Sequence, residues 1–153
     1  MKTDELAADV AEHGWMVVHV AVEDGPEFAY SVGLHRSFGH PEIIVVGLDE
    51  ETMHDLINDV GEAISEGRKF REGSISSTFV EEFDVIFRLV PRPHHAAYLP
   101  WAHALYAGEA FDALQLVYPD HKRRWPWNTA VAPAFRSEQP VLADVAPDVE
   151  PDR

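Results

Sequence analysis

The chain has 153 residues, 46% hydrophobic and 25% charged, which matches one ordinary globular domain. Its formal net charge of −15 argues against nucleic acid as a partner, because duplex binding depends on Lys and Arg neutralising phosphates. Cysteine is absent, which excludes disulfide scaffolds and cysteine nucleophiles, and no apolar run approaches the roughly 20 residues that span a bilayer, so we expect a cytoplasmic protein without a membrane partner.

The first half of the chain predicts a helix, three strands and a second helix. Residues 4–13 have a helical apolar pattern that stops at Gly14, and "WMVVHVAV" then predicts a strand. A turn at residues 24–26 separates it from "EFAYSVGL", which indicates an antiparallel hairpin. The apolar run "EIIVVGL" predicts a central strand covered on both faces. Asp49 can then cap a helix that ends at Gly67.

The second half predicts two strands, a helical stretch and one more strand. "SISSTFV" and "DVIFRLV" have strand composition, and Pro91 terminates the second. "HHAAYLPWAHALYAG" is helical on either side of Pro100, and "ALQLVYPD" predicts the last strand. From Arg136 onward prolines and acids dominate with little apolar periodicity. We therefore expect one globular domain over residues 1–135 and a flexible, acidic, Pro-rich tail over residues 136–153.

This order of elements does not alternate as a doubly wound α/β sheet would. It predicts an α+β fold with a mainly antiparallel sheet or partly closed barrel and helices packed on one side. The glycine-rich dinucleotide and triphosphate motifs and the GxSxG hydrolase motif are all missing from the sequence. The common nucleotide-binding folds are therefore not indicated.

Several motifs in this order resemble one known family. "GWMVVHV", "FAYSVGL", "HPEIIVVGL", "LQLVYPD" and "WPW" together are similar to a bacterial family classified as domain of unknown function number 4262. The resemblance covers residues 14–127 and implies a bacterial cytosolic domain, but the family supplies no activity, cofactor or catalytic assignment. Threonine is usual in that family where this chain has Ser31, and either residue supplies a hydroxyl.

The segment "FAYSVGLHRSFGHPE" is the first candidate wall of a ligand cleft. In an extended strand, Tyr30 shares a bulky face with its apolar neighbours, whereas Ser31 lies on a face of small residues. That small face predicts close approach of a flat ligand or, alternatively, tight packing of the helix that Asp49 begins. His35 and His40 follow in a predicted loop before Glu42, where binding groups are common.

The same histidines leave two further interpretations open. With Glu42 they could bind a metal if a third ligand came from elsewhere, but their spacing matches no strong metal motif, and we predict no metal. In the other interpretation they bond loop carbonyls, and His40 shapes the turn before Pro41. The possible third ligands are His94, His95, His103 and Asp120.

The segment "LQLVYPDHKRRWPWN" is the second candidate wall. Gln115 is a polar residue in an apolar strand and needs partners if it is buried, and Asp120 marks a turn. The proline between Trp125 and Trp127 fixes two indoles, which predicts a pocket wall, a cap on the sheet or a partner interface. The cations at 122–124 either clamp an anion or pair with nearby carboxylates.

These observations support three functions of different classes. The first is a small-ligand-binding domain or enzyme whose cleft joins the two walls. The second is an acidic interaction module that meets a basic protein partner. The third is a flavin-using oxidoreductase of the split-barrel type, which is suggested by fold analogy alone. The residues assigned to the cleft are Tyr30, Ser31, His35, His40, Glu42, Gln115, Asp120, Trp125 and Trp127.

Overall fold

A computed structural model describes residues 2–143 of the protein; residues 1 and 144–153 lie outside the described part. Its strands match the apolar runs of the sequence closely, and a 3₁₀ turn at Arg92–His94 precedes the two short helices around Pro100. The helices are α1 (Thr3–His13), α2 (Leu34–Phe38), α3 (Glu50–Ser65), α4 (His95–Tyr98), α5 (Pro100–Tyr106) and α6 (Pro133–Glu138), and the strands are β1 (Met16–Val20), β2 (Phe28–Val32), β3 (Glu42–Val46), β4 (Ile75–Val80), β5 (Phe83–Leu89) and β6 (Ala113–Val117).

The six strands of the described chain form one open sheet in the order β1-β2-β3-β6-β5-β4. Every neighbouring pair is antiparallel except β3 and β6, which run parallel with Glu42 opposite Ala113 and Ile44 opposite Gln115. Strand β3 is buried along its whole length, as its unbroken apolar sequence predicts. The parallel pair brings both strand starts to one end of the sheet and both strand ends to the other.

Helix α3 is the main cover of the first sheet face. Asp49 caps it, because the carboxylate oxygen Oδ2 accepts a hydrogen bond from the Thr52 backbone N–H at 3.1 Å. Its apolar stripe packs against β1, β2 and β3 but reaches β4 only marginally. Trp15 packs against Gly61 on the β1 side of the helix and donates to the Asn58 side chain at 3.0 Å. The β5–β4 half of this face therefore has no helix over it in the described chain.

The second sheet face is covered from β1 to β5, whereas Ile75 of the edge strand β4 is exposed on it. Helices α1 and α5 pack over β1, β2 and β3 through an apolar cluster that includes Leu6, Val10 and Leu99. Over β5 and β6 the cover consists of Trp125, which packs on Ile86 and Val117, together with the chain that follows α6. Helices thus lie on both faces of the sheet.

The prediction of an α+β fold with a mainly antiparallel sheet is confirmed. The sheet is open rather than a partly closed barrel, and helices pack on both faces rather than one. Residues 136–143 were assigned to the tail, yet Gln139 and Leu142 are buried against the sheet. The remainder of the predicted tail lies outside the described residues. None of the helices within residues 2–143 is long and apolar enough to cross a membrane.

Candidate functional site

The predicted convergence of the two candidate walls is wrong. His40 and Glu42 lie at the start of β3, whereas Asp120 follows the end of β6. Because β3 and β6 are parallel neighbours, the start of one and the end of the other lie at opposite ends of the sheet. The geometry therefore does not bring His40 and Glu42 together with Asp120 in one cleft. Tyr30 and Gln115 do lie in one row of the sheet, each opposite Ile44. The Trp127 ring is near the same row, because it lies under Arg88, the β5 residue that pairs with Gln115.

Glu42 is the centre of a buried hydrogen-bond cluster, which we call the Glu42 cluster. Its carboxyl Oε1 accepts from the Ser31 hydroxyl at 2.7 Å and from the Leu34 N–H at 3.2 Å. Its Oε2 accepts from the Gly33 and His35 N–H groups, each at 3.1 Å, and from the Tyr106 hydroxyl. The side chain thereby ties the start of α2 to the start of β3. The cluster consists of Ser31, Gly33, Leu34, His35, Glu42 and Tyr106.

Burial governs the protonation of this cluster. It raises the pKa of Glu42 above the ordinary value, and the hydrogen bonds from Tyr106, Ser31 and the backbone offset part of that rise. Burial together with the neighbouring Glu42 charge raises the pKa of the Tyr106 hydroxyl. With a solvent exposure of 0%, the Glu42 carboxyl is not accessible to a ligand, and its hydrogen bonds hold the α2 turn in place.

Two other members of the first predicted wall also have structural partners. The Tyr30 hydroxyl is buried under α5, accepts a hydrogen bond from the Trp101 N–H at 3.0 Å, and has its pKa raised by burial to about 12. The Ser31 hydroxyl accepts from the Ile43 N–H at 2.9 Å. Ala29, on the same small strand face, packs under α3, so helix packing rather than a flat ligand occupies that face.

The His35 N–H belongs to the Glu42 cluster, but the His35 side chain is partly exposed. Its ring stands edge-on to the Tyr106 ring with centroids 4.9 Å apart, and its Nε2 lies 3.3 Å from the Glu109 carboxylate. Among residues 2–143 no group of three His, Cys, Asp or Glu residues is placed to hold a metal ion. The set of His35, His40 and Glu42 is therefore not assembled as the metal interpretation required.

His40 connects the α2–β3 turn to the chain after α3. Its Nδ1 lies 2.8 Å from the Pro41 carbonyl, and its Nε2 accepts from the Phe70 N–H at 3.0 Å. Burial lowers the pKa of the imidazole, the Pro41 contact opposes this, and the nearby Lys69 charge lowers it further. His40 is thus a neutral ring that donates through Nδ1 and shapes the turn, with no nitrogen left to act as a base.

His40 also lines a cleft of about 670 Å³, which we call the basic cleft. The cleft lies between the α2–β3 turn and the segment that joins α3 to β4, and its principal lining residues are Phe38, His40, Arg68, Lys69, Phe70 and Arg71. Phe38 is 40% exposed, so the cleft has an apolar as well as a cationic wall.

The three cations of the basic cleft are held differently. Arg68 donates to the Thr78 hydroxyl at 3.0 Å and lies over the rings of Phe70 and Phe79. Lys69 and Arg71 are exposed, and their side chains make no ion pair or hydrogen bond with the residues that the structure describes. The sequence signal for this site is the basic run "GRKFR" in a chain of net charge −15, and it matches none of the motifs from which the two candidate walls were predicted.

Gln115 uses both ends of its amide to hold the chain after α6. Its Nε2 donates to the Pro140 carbonyl at 2.9 Å, and its Oε1 accepts from the Leu142 N–H at 2.8 Å. A buried polar residue in an apolar strand required partners, and they come from the segment predicted to be a tail. Gln115 therefore fixes the chain rather than a ligand.

Asp120 closes a tight turn. Its carboxylate accepts from the backbone N–H groups of Lys122 and Arg124, each at 2.9 Å, and pairs with the Arg124 guanidinium at 3.0 Å. Burial acts to raise the pKa of Asp120, but these bonds together lower it below its ordinary value. Of the two alternatives for the cations at 122–124, Arg124 thus shows the pairing with a nearby carboxylate.

The two indoles of the "WPW" motif stack on one another. The rings of Trp125 and Trp127 are inclined by 20° with centroids 5.7 Å apart, and the Arg88 guanidinium lies over the Trp127 ring. Trp125 is buried on β5 and β6. Of the roles considered for this pair, a cap on the sheet fits the geometry, and neither indole faces the basic cleft.

Comparison with known proteins gives one match. A family model described as Domain of unknown function (DUF4262) matches residues 9–132, which include all six strands and the basic cleft. This match confirms the resemblance inferred from the sequence motifs. No curated protein matches the chain, and neither does any solved structure.

Proposed function

The chain belongs to the family described as Domain of unknown function (DUF4262), and because that description assigns no activity, we propose from the geometry that the protein binds a small anionic ligand in the basic cleft. The proposal keeps the small-ligand class predicted from the sequence but moves the site. His40 is the only one of the nine predicted residues that lines this cleft, where it shapes the wall.

The observation that carries the proposal is a local reversal of charge. The protein has 27 Asp and Glu residues but only 12 Lys and Arg residues. Three of those 12 basic residues lie within residues 68–71. Lys69 and Arg71 are exposed and have no carboxylate partner within residues 2–143. On a surface this acidic, cations that remain unpaired beside a cleft are available to a ligand's phosphate or carboxylate group.

The size and walls of the cleft suit a small molecule. Its volume of about 670 Å³ falls within the range of roughly 300–1,000 Å³ that is usual for ligand pockets. Phe38 and Ile64 supply apolar surface beside the cations. The ligand that fits best therefore combines an anionic group with an apolar or aromatic part.

The end of α3 provides a competing explanation for these cations. Carbonyl groups at a helix C-terminus attract positive charge, and α3 ends at Ser65, just before Arg68. Arg68 is accounted for in this way and by its bonds to β4. The effect falls off within one turn of the helix end, so it does not account for Arg71.

The proposal concerns binding and includes no catalytic step. Both ring nitrogens of His40 are already engaged, so it is not available as a general base. The flavin oxidoreductase alternative rested on a partly closed barrel, and the open sheet withdraws that support.

Isothermal titration calorimetry with pyrophosphate, citrate and phenyl phosphate tests the proposal. We expect wild-type protein to bind at least one of these anions, and the double variant Lys69→Gln with Arg71→Gln to bind it about tenfold more weakly or worse. The matched control is Lys122→Gln with Arg123→Gln, which removes the same charge at the opposite end of the sheet. Affinity that falls equally in both double variants would indicate a nonspecific charge effect and contradict the proposal, as would the absence of binding.

A further inference from the structure

A second cleft lies beside the opposite end of α3, and we call it the apolar cleft. It has a volume of about 480 Å³ and is bounded by the first half of α3, the β4–β5 hairpin and the chain after β6. It exists because α3 covers β1 to β3 and leaves the β5–β4 half of this sheet face without a helix. The residues that form most of its wall are Leu48, Leu56, Phe79, Val80, Phe83 and Tyr118.

Two carboxylates, Glu81 and Asp120, line this cleft. Glu81 is exposed on its lining and has no ion pair with any residue from 2 to 143, and no Lys or Arg lines the cleft in that part of the chain. Asp120, also on the lining, is already held by its turn, so Glu81 is the carboxylate available to a ligand. The other titratable side chains on the lining are Tyr118 and His121, of which His121 is exposed.

Two aromatic rings of the wall already contact cations of the protein. The guanidinium carbon of Arg68 lies 5.3 Å from the Phe79 ring centre, and that of Arg123 lies 5.7 Å from the Phe83 ring centre. These two rings thus already attract positive charge on the sides that the arginines cover, because the face of an aromatic ring is electronegative. The Tyr118 hydroxyl donates to the Val46 carbonyl at 2.9 Å, which leaves the ring as its contribution to the cleft.

We propose that the apolar cleft binds a small apolar or aromatic molecule that carries one amine or guanidine group. The apolar part lies between Leu56 and the ring of Phe83, and the positive group lies toward Glu81. The cleft volume falls within the usual pocket range of about 300–1,000 Å³. This site is separate from the basic cleft in both position and ligand charge, so each proposal can fail without the other.

A matched pair of probes tests the ligand class. Phenylbutylamine and phenylbutyrate share an apolar part and differ in charge, and calorimetry at pH 7 measures the affinity of each for the full chain. We expect the amine to bind about tenfold more tightly than the acid to the double variant Lys69→Gln with Arg71→Gln, in which the basic cleft no longer attracts the acid. The same variant should bind the amine as wild type does.

Two further variants locate the amine. Glu81→Gln removes an exposed carboxylate and should weaken amine binding about threefold while leaving the folded protein intact. Thr52→Trp places a large side chain at an exposed lining position and should abolish amine binding, with circular dichroism confirming the fold. Amine affinity that is unchanged in Thr52→Trp would overturn the proposed location, and equal affinity for the acid and the amine would overturn the proposed charge.

Discussion

The sharpest prediction concerns the Glu42 cluster and the substitution Glu42→Gln. Both carboxyl oxygens of Glu42 accept hydrogen bonds. In glutamine an amide nitrogen replaces one of these oxygens, and it cannot accept a hydrogen bond whichever oxygen it replaces. If that nitrogen replaces Oε2, the His35 N–H loses its acceptor; if it replaces Oε1, the Leu34 N–H does. In both cases a buried backbone donor and an amide hydrogen face one another without a partner.

The magnitude follows from the number of donors left unsatisfied. Each buried polar group without a partner costs about 1–3 kcal/mol, so two such groups predict a loss of roughly 3 kcal/mol from the free energy of unfolding. For a chain of this length that loss lowers the Tm by roughly 6–12 °C. Tyr106→Phe removes a single donor and leaves the Gly33 N–H bonded to Glu42, so its expected cost is about 1 kcal/mol.

Urea unfolding followed by circular dichroism measures these losses. Glu109→Gln is the control, because that carboxylate is exposed and its loss should change stability by less than about 0.5 kcal/mol. The expected order of destabilisation is therefore Glu42→Gln, then Tyr106→Phe, then Glu109→Gln. A Glu42→Gln variant as stable as Glu109→Gln would show that the five donors do not converge on Glu42.

The stability difference between wild type and the Glu42→Gln variant should depend on pH, and the direction of that dependence can be predicted. Because burial raises the pKa of Glu42, this group favours the folded state below its unfolded pKa of about 4.3 and loses that contribution as the pH rises through the folded pKa. The glutamine of the variant has no such titration. The stability difference between the two proteins should therefore be largest near that lower pH and narrow toward alkaline pH, and a difference that widens would contradict the raised pKa.

Three further predictions concern turns and the chain after α6. Glu82 has a φ of 69°, so Glu82→Gly should raise stability by about 1 kcal/mol, whereas Glu81→Gly, in the same turn without a positive φ, should not, as thermal unfolding would show. Gln139 bonds both the N–H and the carbonyl of Tyr118, so Gln139→Ala should cost roughly 2 kcal/mol in urea unfolding, and a neutral result would indicate that this segment is not packed. The turn bonds lower the pKa of Asp120, so its ionised carboxylate contributes to the free energy of unfolding above the unfolded pKa of about 3.9. That contribution is lost as the pH falls through the folded pKa. The destabilisation that Asp120→Asn causes at pH 7 should therefore disappear in acid.

The sequence predicted individual elements better than their arrangement. The β-branched run of β3 indicated a strand buried on both faces, and Asp49 marked the start of α3, because both signals are local. The sequence predicts a loop where α2 lies, because five residues between Gly33 and Gly39 are too few to show a helical period. The packing of residues 139–142 was missed for a related reason, since its signal is the buried Gln115 amide, which lies far away in the sequence.

The site prediction was wrong because hydrophobic periodicity does not indicate the order and direction of the strands in a sheet. Alternation along a strand indicates which face a residue occupies but not which strand lies next to it or in which direction. His40 and Asp120 would have come to the same end of the sheet only if β3 and β6 were antiparallel neighbours. Their parallel pairing separates His40 from Asp120 by the length of the sheet, even though each lies close to a terminus of its own strand.

The absence of a second helix on the first sheet face, within the described residues, explains where both clefts lie. The apolar side chains of β5 on this face, Val85 and Phe87, are still buried, because Phe70 and Phe79 pack over them as an aromatic cluster. Two rings cover the middle of this half of the face but not its two ends, so a hollow remains at each end of α3. The charges around the hollows differ because the chain after α3 is basic and the β4–β5 turn is acidic. One local gap in the helical layer thus produces two clefts of opposite charge on an otherwise acidic protein.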